Sequence, residues 1–313
     1  MEGRILLTGG TGSLGTALLR RCQAEKWLCH FVVYSRDEVK QGQVKARFPE
    51  HTYVLGSVSN YELLEDTMVG YGVEGVIHAA AYKQVPTAEV NVSEAILTNV
   101  VGSQHVVRAA KRAGVKWCVG ISTDKACSPV NVYGKTKALM EAAFQEGCLS
   151  GSTKFNLVRY GNVVGSRGSV IPLFQEQVKK CRPMTITAPE MTRFWLTLDQ
   201  AVDLVLAAVE EPFAGTILVP KLPACDMLTT ARAVSPNWEV QVIGLRPGEK
   251  VHEDLVHASE SMHAEDIGEL YRIWPAYTGR RGNLPLGYRY TSDGAERLSV
   301  EALRGMIDES ESR

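Results

Sequence analysis

Five side chains in one short stretch have the types and spacing to carry out chemistry on an alcohol. Thr123, Asp124, Lys125, Tyr133 and Lys137 fall within the segment ISTDKACSPVNVYGKTK, residues 121–137. Tyr133 and Lys137 are spaced i, i+4, which places them on one helix face. A phenol with an ordinary pKa of about 10 is a poor base at neutral pH. An adjacent ammonium and a positively charged cofactor ring would both stabilise the phenolate and bring it toward working range. Thr123, at the end of the preceding apolar run, would give a second hydrogen bond to the same substrate hydroxyl.

Asp124 and Lys125 exceed what a redox step requires. Once an alcohol has become a ketone, the neighbouring C–H is acidic, and Lys125 is suited to remove that hydrogen. A protonated Asp124 could then donate to a hydroxyl leaving from the next carbon. The competing reading is a surface ion pair worth about 0–1 kcal/mol. Adjacent side chains on a regular strand point to opposite faces, so both reach one site only where the strand has ended. The turn-rich Ala126-Cys127-Ser128-Pro129 that follows favours that geometry.

The elements that must position these groups alternate along the chain. An apolar run, Arg4 to Leu7, enters a turn containing Gly9, Thr11, Gly12, Ser13, Leu14 and Gly15. A helical pattern of Leu14, Ala17, Leu18 and Cys22 follows. Glycines there let backbone approach a pyrophosphate, and the helix N-terminus offers free N–H groups. His30 to Tyr34 is the second strand, ending in Ser35, Arg36 and Asp37, with Lys40 one turn on. A hydroxyl with two cations suits a 2′-phosphate and points to NADP, while Asp37 keeps NAD possible. Tyr53–Leu55, Val73–Ala81, Trp117–Ile121, Phe155–Tyr160 and Gly215–Val219 continue the strands. Ser57, Val58 and Ala79 fall at or just past strand ends. Ser93 to Ala113 reads as one long helix capped by Ser93, and Val132 to Gln145 as another. Asn99 could bridge backbone or water near the site or be a satisfied buried amide; His78 reads as a packed strand residue.

This alternation predicts an α/β fold, a Rossmann doubly wound parallel sheet of about seven strands in the order 3-2-1-4-5-6, the seventh beside the sixth. Residues 1–165 form the dinucleotide domain, with 195–220 returning to it. Residues 166–313, richer in proline, form mainly a smaller C-terminal substrate lobe. At 313 residues, with 45% hydrophobic and 22% charged residues, the chain can bury a full core. A net charge of −1 argues against a nucleic-acid surface. Seven scattered cysteines without C-x-x-C spacing, and no histidine pair at i, i+4, predict no metal and a reducing, cytoplasmic setting. No apolar run approaches the roughly 18 residues of a membrane span, and no signal peptide is read at the N-terminus.

The motifs TGGTGSLG, YSRDEVKQ, HAAAYKQVPTAE, STDKA, YGKTK, VRYGNVVGSRGS, MTRFWLTLDQAV and LRPGEKVHEDL stand in this order. Together they resemble the extended short-chain dehydrogenase/reductase family. Within it they are similar to the inverting UDP-N-acetylglucosamine 4,6-dehydratases of pseudaminic acid and L-fucosamine-type pathways. Related dehydratases tend to carry Asp-Glu where this chain has Asp124-Lys125. The resemblance implies that Tyr133, with Thr123 and Lys137, takes the O4 proton while hydride passes from C4 to NADP. Lys125 would remove the C5 proton, Asp124 would assist loss of water from C6, and hydride would return to C6. The product would be UDP-2-acetamido-2,6-dideoxy-β-L-arabino-hexos-4-ulose. It also implies that Lys83, Asn162, Val170, Arg246 and Glu249 contact the UDP-sugar, and that Val163 to Arg167 line the nicotinamide. Ser57 departs from the aspartate common near the adenine. The two long helices would form a homo-oligomer face, giving a dimer or hexamer. Three alternatives stand beside this one: a 4-epimerase, a retaining dehydratase, and a catalytically silent NADP-binding regulator.

Overall fold

The computed structural model describes residues 1–312. Its main sheet has nine strands: β1 (Glu2–Thr8), β2 (Leu28–Ser35), β3 (Thr52–Leu55), β4 (Gly75–His78), β5 (Trp117–Ile121), β6 (Lys154–Val158), β7 (Ile217–Pro220), β8 (Ala264–Asp266) and β9 (Leu270–Ile273). Their order is β3-β2-β1-β4-β5-β6-β7-β9-β8. The first seven are parallel, as the alternation predicts. β9 and β8 add antiparallel at the β7 edge. Two strands beyond the expected seven thus come from residues 264–273, which the sequence reading left in the substrate lobe. They are four residues or fewer with mixed polar content, so they carry little periodic signal.

In strands β1, β4 and β5 consecutive apolar residues, Ile5, Leu6 and Leu7, Val76 and Ile77, Cys118 and Val119, are buried. Such strands need cover on both faces, which the crossover helices give. Helix Leu198–Glu210 and β7 return to this body after the chain has built small sheets from Asn162–Val163, Met184–Ile186 and Thr192–Leu196. A second apolar cluster, with Phe174, Trp195, Met227 and Leu303 at its centre, belongs to the smaller lobe.

The helix expected over residues 93–113 is built differently. It begins at Val92 after Asn91, passes through a π-helical turn at Leu97–Val101, and resumes as Gly102–Arg112. Ser93 therefore lies inside the first turn and is not the cap. The widened turn presents Asn99 to the loop after β4. Its Nδ2 donates to Tyr82 O at 3.0 Å and to Thr136 Oγ1 at 3.0 Å, and its Oδ1 accepts from Tyr82 N at 2.7 Å. Asn99 is thus a satisfied buried amide that also bridges the backbone of the loop after β4. His78 is packed inside, bridging Thr8 Oγ1 at 2.8 Å and Ser103 Oγ at 3.0 Å. No helix among the described residues is long and apolar enough to cross a membrane.

Candidate active site

A cleft of about 1180 Å³ runs along the carboxyl ends of the parallel strands and under the smaller lobe. Of the residues expected from sequence to act on substrate or cofactor, Asp124, Val164 and Gly165 are off its wall and the others are on it.

At one end is the glycine turn. Gly9 has φ +67°, and a Cβ there would stand 2.7 Å from Ala80 N and 2.8 Å from Ala79 O. A Cβ on Gly15 would meet Gly10 Cα at 2.4 Å. Only glycine permits this close passage of turn, β4 end and helix α1 (Ser13–Ala24). The N-terminus of α1 has no side-chain cap, so its first N–H groups face the cleft without an internal acceptor. This is the donor set that a pyrophosphate requires, and the turn fits a dinucleotide. Thr11 and Ser13 also hold the opposite lip: Arg167 reaches Thr11 O through its guanidinium, and Arg167 N donates to Ser13 Oγ at 3.3 Å. Lys83 Nζ donates to Arg167 O at 2.6 Å, closing the same lip from below.

Where β2 ends, Ser35 is buried and accepts from Gln41 Nε2 at 3.1 Å. Asp37 is the cap of α2 (Glu38–Arg47), accepting from Lys40 N at 2.9 Å and pairing with Lys40 Nζ at 2.7 Å. Arg36 pairs with Glu94 at 3.2 Å, both side chains being largely exposed. Ser57 Oγ shares a hydrogen bond with Ser59 Oγ, and Val58 O accepts from His105.

At the centre, β5 ends at Ile121, and a 3-10 turn over Asp124–Ala126 follows Thr123. The strand has ended where the sequence argument required it to. Thr123 Oγ1 donates to Asp124 Oδ1 at 2.8 Å, and Lys125 Nζ donates to the same oxygen at 3.0 Å. Asp124 is 0% exposed, and its Oδ2 has no hydrogen-bond partner. Its carboxylate is turned onto Thr123 and Lys125 and does not face the cleft, contrary to the role expected for it at a leaving hydroxyl.

Tyr133 and Lys137 rise from helix Val132–Gly147, capped by Asn131. Burial pushes the Tyr133 phenol up to about 12; the Lys125 charge and a hydrogen bond from Thr123 act in the opposite direction. Lys137 does not supply that charge. Burial draws its ammonium down to about 7, only partly opposed by Glu141, and its Nζ donates to Ile121 O at 2.6 Å. Lys125 is also desolvated, but Asp124 and Glu253 outweigh the burial and raise its pKa.

Glu253 in LRPGEKVHEDL and Arg193 in MTRFWLTLDQAV carry no local signal of a role. Both line the cleft beside Lys125. Glu253 Oε1 is 3.6 Å from Lys125 Nζ. Behind the site, Arg159 is buried and clamps Glu141 and Glu260 with four hydrogen bonds of 2.7–3.0 Å. Glu141 in turn accepts from Ser122 Oγ at 2.5 Å, fixing the backbone just before Thr123. Nothing in local spacing marks these partners, because they lie on three separated segments. Asn162, Val163, Val170, Arg246 and Glu249 also line the cleft. Glu249 Oε2 accepts from Arg246 N at 3.1 Å.

Residues 5–275 match the family described as "Polysaccharide biosynthesis protein". The chain belongs to this family. It is 41% identical to the UDP-N-acetylglucosamine 4,6-dehydratase (inverting) of Campylobacter jejuni, over 87% of this chain and 83% of that protein. It is equally 41% identical to a UDP-glucose 4-epimerase of Rickettsia bellii, over 97% and 94%. The X-ray structure of Pen from Bacillus thuringiensis superposes with a TM-score of 0.91 at 33% identity, covering 99% of this chain and 98% of that one. The dTDP-glucose 4,6-dehydratase of Streptomyces venezuelae, solved with NAD bound, shares the fold at a TM-score of 0.73 and 20% identity, over 79% and 86%. These likenesses agree with the short-chain dehydrogenase/reductase resemblance of the motifs and with a nicotinamide-dinucleotide fold.

Proposed function

We propose that the chain is an inverting UDP-N-acetylglucosamine 4,6-dehydratase that uses NADP. The observation that carries this reading is Lys125, held on the cleft wall between two carboxylates, where a 4-epimerase needs no second acid–base set. The identity to the Campylobacter jejuni enzyme supports the same reading. The Rickettsia bellii relative supports the second one, a 4-epimerase.

When bound, the nicotinamide dinucleotide supplies a reversible two-electron acceptor for C4 and donor for C6. Tyr133 takes the proton of the C4 hydroxyl, which Thr123 holds through a second hydrogen bond. Lys137 lies near its neutral form and takes the ribose as a hydrogen-bond partner in place of Ile121 O. Lys125 takes the C5 proton once C4 is a ketone. Asp124 acts through its neighbours, fixing the Thr123 hydroxyl and the Lys125 ammonium on one oxygen. Arg167 and Lys83 close the lip over the glycine turn. Arg246 is exposed and offers its guanidinium to the UDP diphosphate. Ile96, Leu97 and Leu139 are exposed apolar residues on the two helices assigned to subunit contact, which supports a homo-oligomer.

Incubation with UDP-N-acetylglucosamine is the test. The expected product has lost one water and, in D₂O, carries deuterium at C5 with inverted configuration. A product that keeps the water and differs only at C4 would establish the epimerase instead.

A further inference from the structure

Glu253 is a cleft residue to which the reaction just described gives no step of its own. It is 2% exposed yet lies on the cleft wall, and its Oε2 has no hydrogen-bond partner. Its backbone is fixed from both directions: Glu253 N donates to Ser292 Oγ at 2.9 Å, and Ser292 N donates to Glu253 O at 2.8 Å. The charged groups facing its carboxylate are Lys125 Nζ at 3.6 Å, Arg193 Nε at 3.9 Å and Lys250 Nζ at 3.4 Å. Two of these are engaged elsewhere. Arg193 donates to the carbonyls of Thr192, Val251 and Lys250, and Lys250 Nζ donates to Cys127 O at 2.6 Å. Lys125 is faced on its other side by Asp124, Tyr133 and the same Arg193.

A 1,2-elimination breaks a C–H bond on one carbon and a C–O bond on the next. The proton acceptor and the proton donor must therefore be neighbours in the cleft. Asp124 is completely buried and off the wall. Lys125 and Glu253 are adjacent, both on the wall, and come from elements far apart in the chain.

We propose that Glu253 is a further catalytic residue, the acid that protonates the departing C6 oxygen while Lys125 takes the C5 proton. The assignment rests on the dehydratase reading above. Its proton balance closes. Lys125 passes one ammonium proton from Nζ to Glu253, leaving a neutral amine and a carboxylic acid. The amine then forms an N–H bond with the C5 hydrogen, and the C5–H electron pair becomes the C5–C6 π bond. The C6–O pair leaves with the Glu253 proton as water. Lys125 is again an ammonium and Glu253 again a carboxylate, so no co-reactant is consumed.

The experiment compares Glu253→Gln with the wild-type enzyme on UDP-N-acetylglucosamine and on its 6-deoxy-6-fluoro analogue, since fluoride departs without a proton. With the native hydroxyl, E253Q should lose about 10²–10⁴-fold in elimination while C4 oxidation persists, seen as absorbance of the reduced nicotinamide on mixing. With the fluoro analogue, elimination by E253Q should recover toward alkaline pH, where Lys125 can shed its proton to solvent. Loss of hydroxide and fluoride release alike at every pH would make Glu253 structural and overturn the proposal. So would hydroxyl elimination by E253Q at the wild-type rate. Should E253Q fail to fold, judged by its melting and dinucleotide binding, Glu253→Asp is read on the same two substrates. A larger loss with hydroxyl than with fluoride supports the acid role, and equal losses overturn it. A wild-type enzyme that releases neither water nor fluoride overturns the dehydratase reading and this assignment together. Wild-type release of both, with an indifferent E253Q, overturns the assignment alone.

Discussion

Lys137, on the side of the cleft proposed for the redox step, and Lys125, on the side proposed for elimination, stand in one short stretch of chain and are both withdrawn from water, yet burial leaves them in opposite states. Lys137 is met by a backbone carbonyl and a sulfur, and its ammonium is drawn down to about 7. Lys125 is met by Asp124 and Glu253, and its ammonium is held above the ordinary lysine range. Desolvation is common to both, so the counter-charges decide. On the proposed function, the first side would hold a near-neutral amine beside a ribose, and the second a mobile proton. The two sides also differ in origin. The first comes from β5 and the helix after it, while the second recruits Glu253 from just before the strand Asp254–Val256.

The largest effect should come from breaking the redox side, because elimination depends on the C4 ketone it makes. Tyr133→Phe should lower turnover by about 10²–10⁴-fold and silence both halves, with no deuterium entering C5 from D₂O. Deuterium exchange at C5 in that variant would show that the two sides act independently. Lys125→Ala should separate them. Elimination should fall by about 10²-fold or more, while dinucleotide binding and C4 oxidation remain. Loss of dinucleotide binding in Lys125→Ala would place that residue on the wrong side.

This contrast also explains which parts of the molecule were legible in sequence. The seven parallel strands and the Thr123–Tyr133–Lys137 set follow from local signals: apolar runs, a glycine turn and an i, i+4 pair. That β5 ends before Asp124 and Lys125 is legible from the turn-rich residues after them, but the direction in which Asp124 points is set by what packs over it. Glu253, Arg193 and the Arg159–Glu141–Glu260 clamp depend on segments far apart in the chain, and periodicity carries no information about such meetings. The same holds for β8 and β9, whose short polar strands exist because β7 leaves an edge for them.

The state of Lys137 can be read from stability against pH. Its folded value of about 7 lies below the unfolded 10.5, so between those values the unfolded chain binds the extra proton. Its contribution therefore destabilises fully below about pH 7 and fades as pH rises toward 10.5. The size is on the order of a few kcal/mol, at about 1.4 kcal/mol per unit. Thermal unfolding should show the protein gaining stability from pH 7 upward, and Lys137→Met should flatten that rise. An unchanged slope in Lys137→Met would mean that Lys137 is charged in the fold, as Lys125 is, and the contrast between them would disappear.

The smallest effect concerns a cation that solvent reaches. Arg36 and Glu94 are 54% and 44% exposed, a pair worth about 0–1 kcal/mol, so Arg36→Ala should shift stability by no more than about 0.5 kcal/mol. Its consequence should appear in dinucleotide choice. Asp37 is committed to capping α2 and pairing with Lys40, which leaves it poorly placed to take ribose hydroxyls. A 2′-phosphate would instead draw Arg36 away from Glu94, through charge-assisted hydrogen bonds worth about 1.5–3 kcal/mol. Titration of Arg36→Ala should therefore show NADP affinity falling by roughly tenfold or more while NAD affinity holds. An equal fall for both dinucleotides would assign Arg36 to their shared adenosine. No fall for either would remove the argument for NADP, and Ser35 with the Asp37 cap would then describe an NAD site.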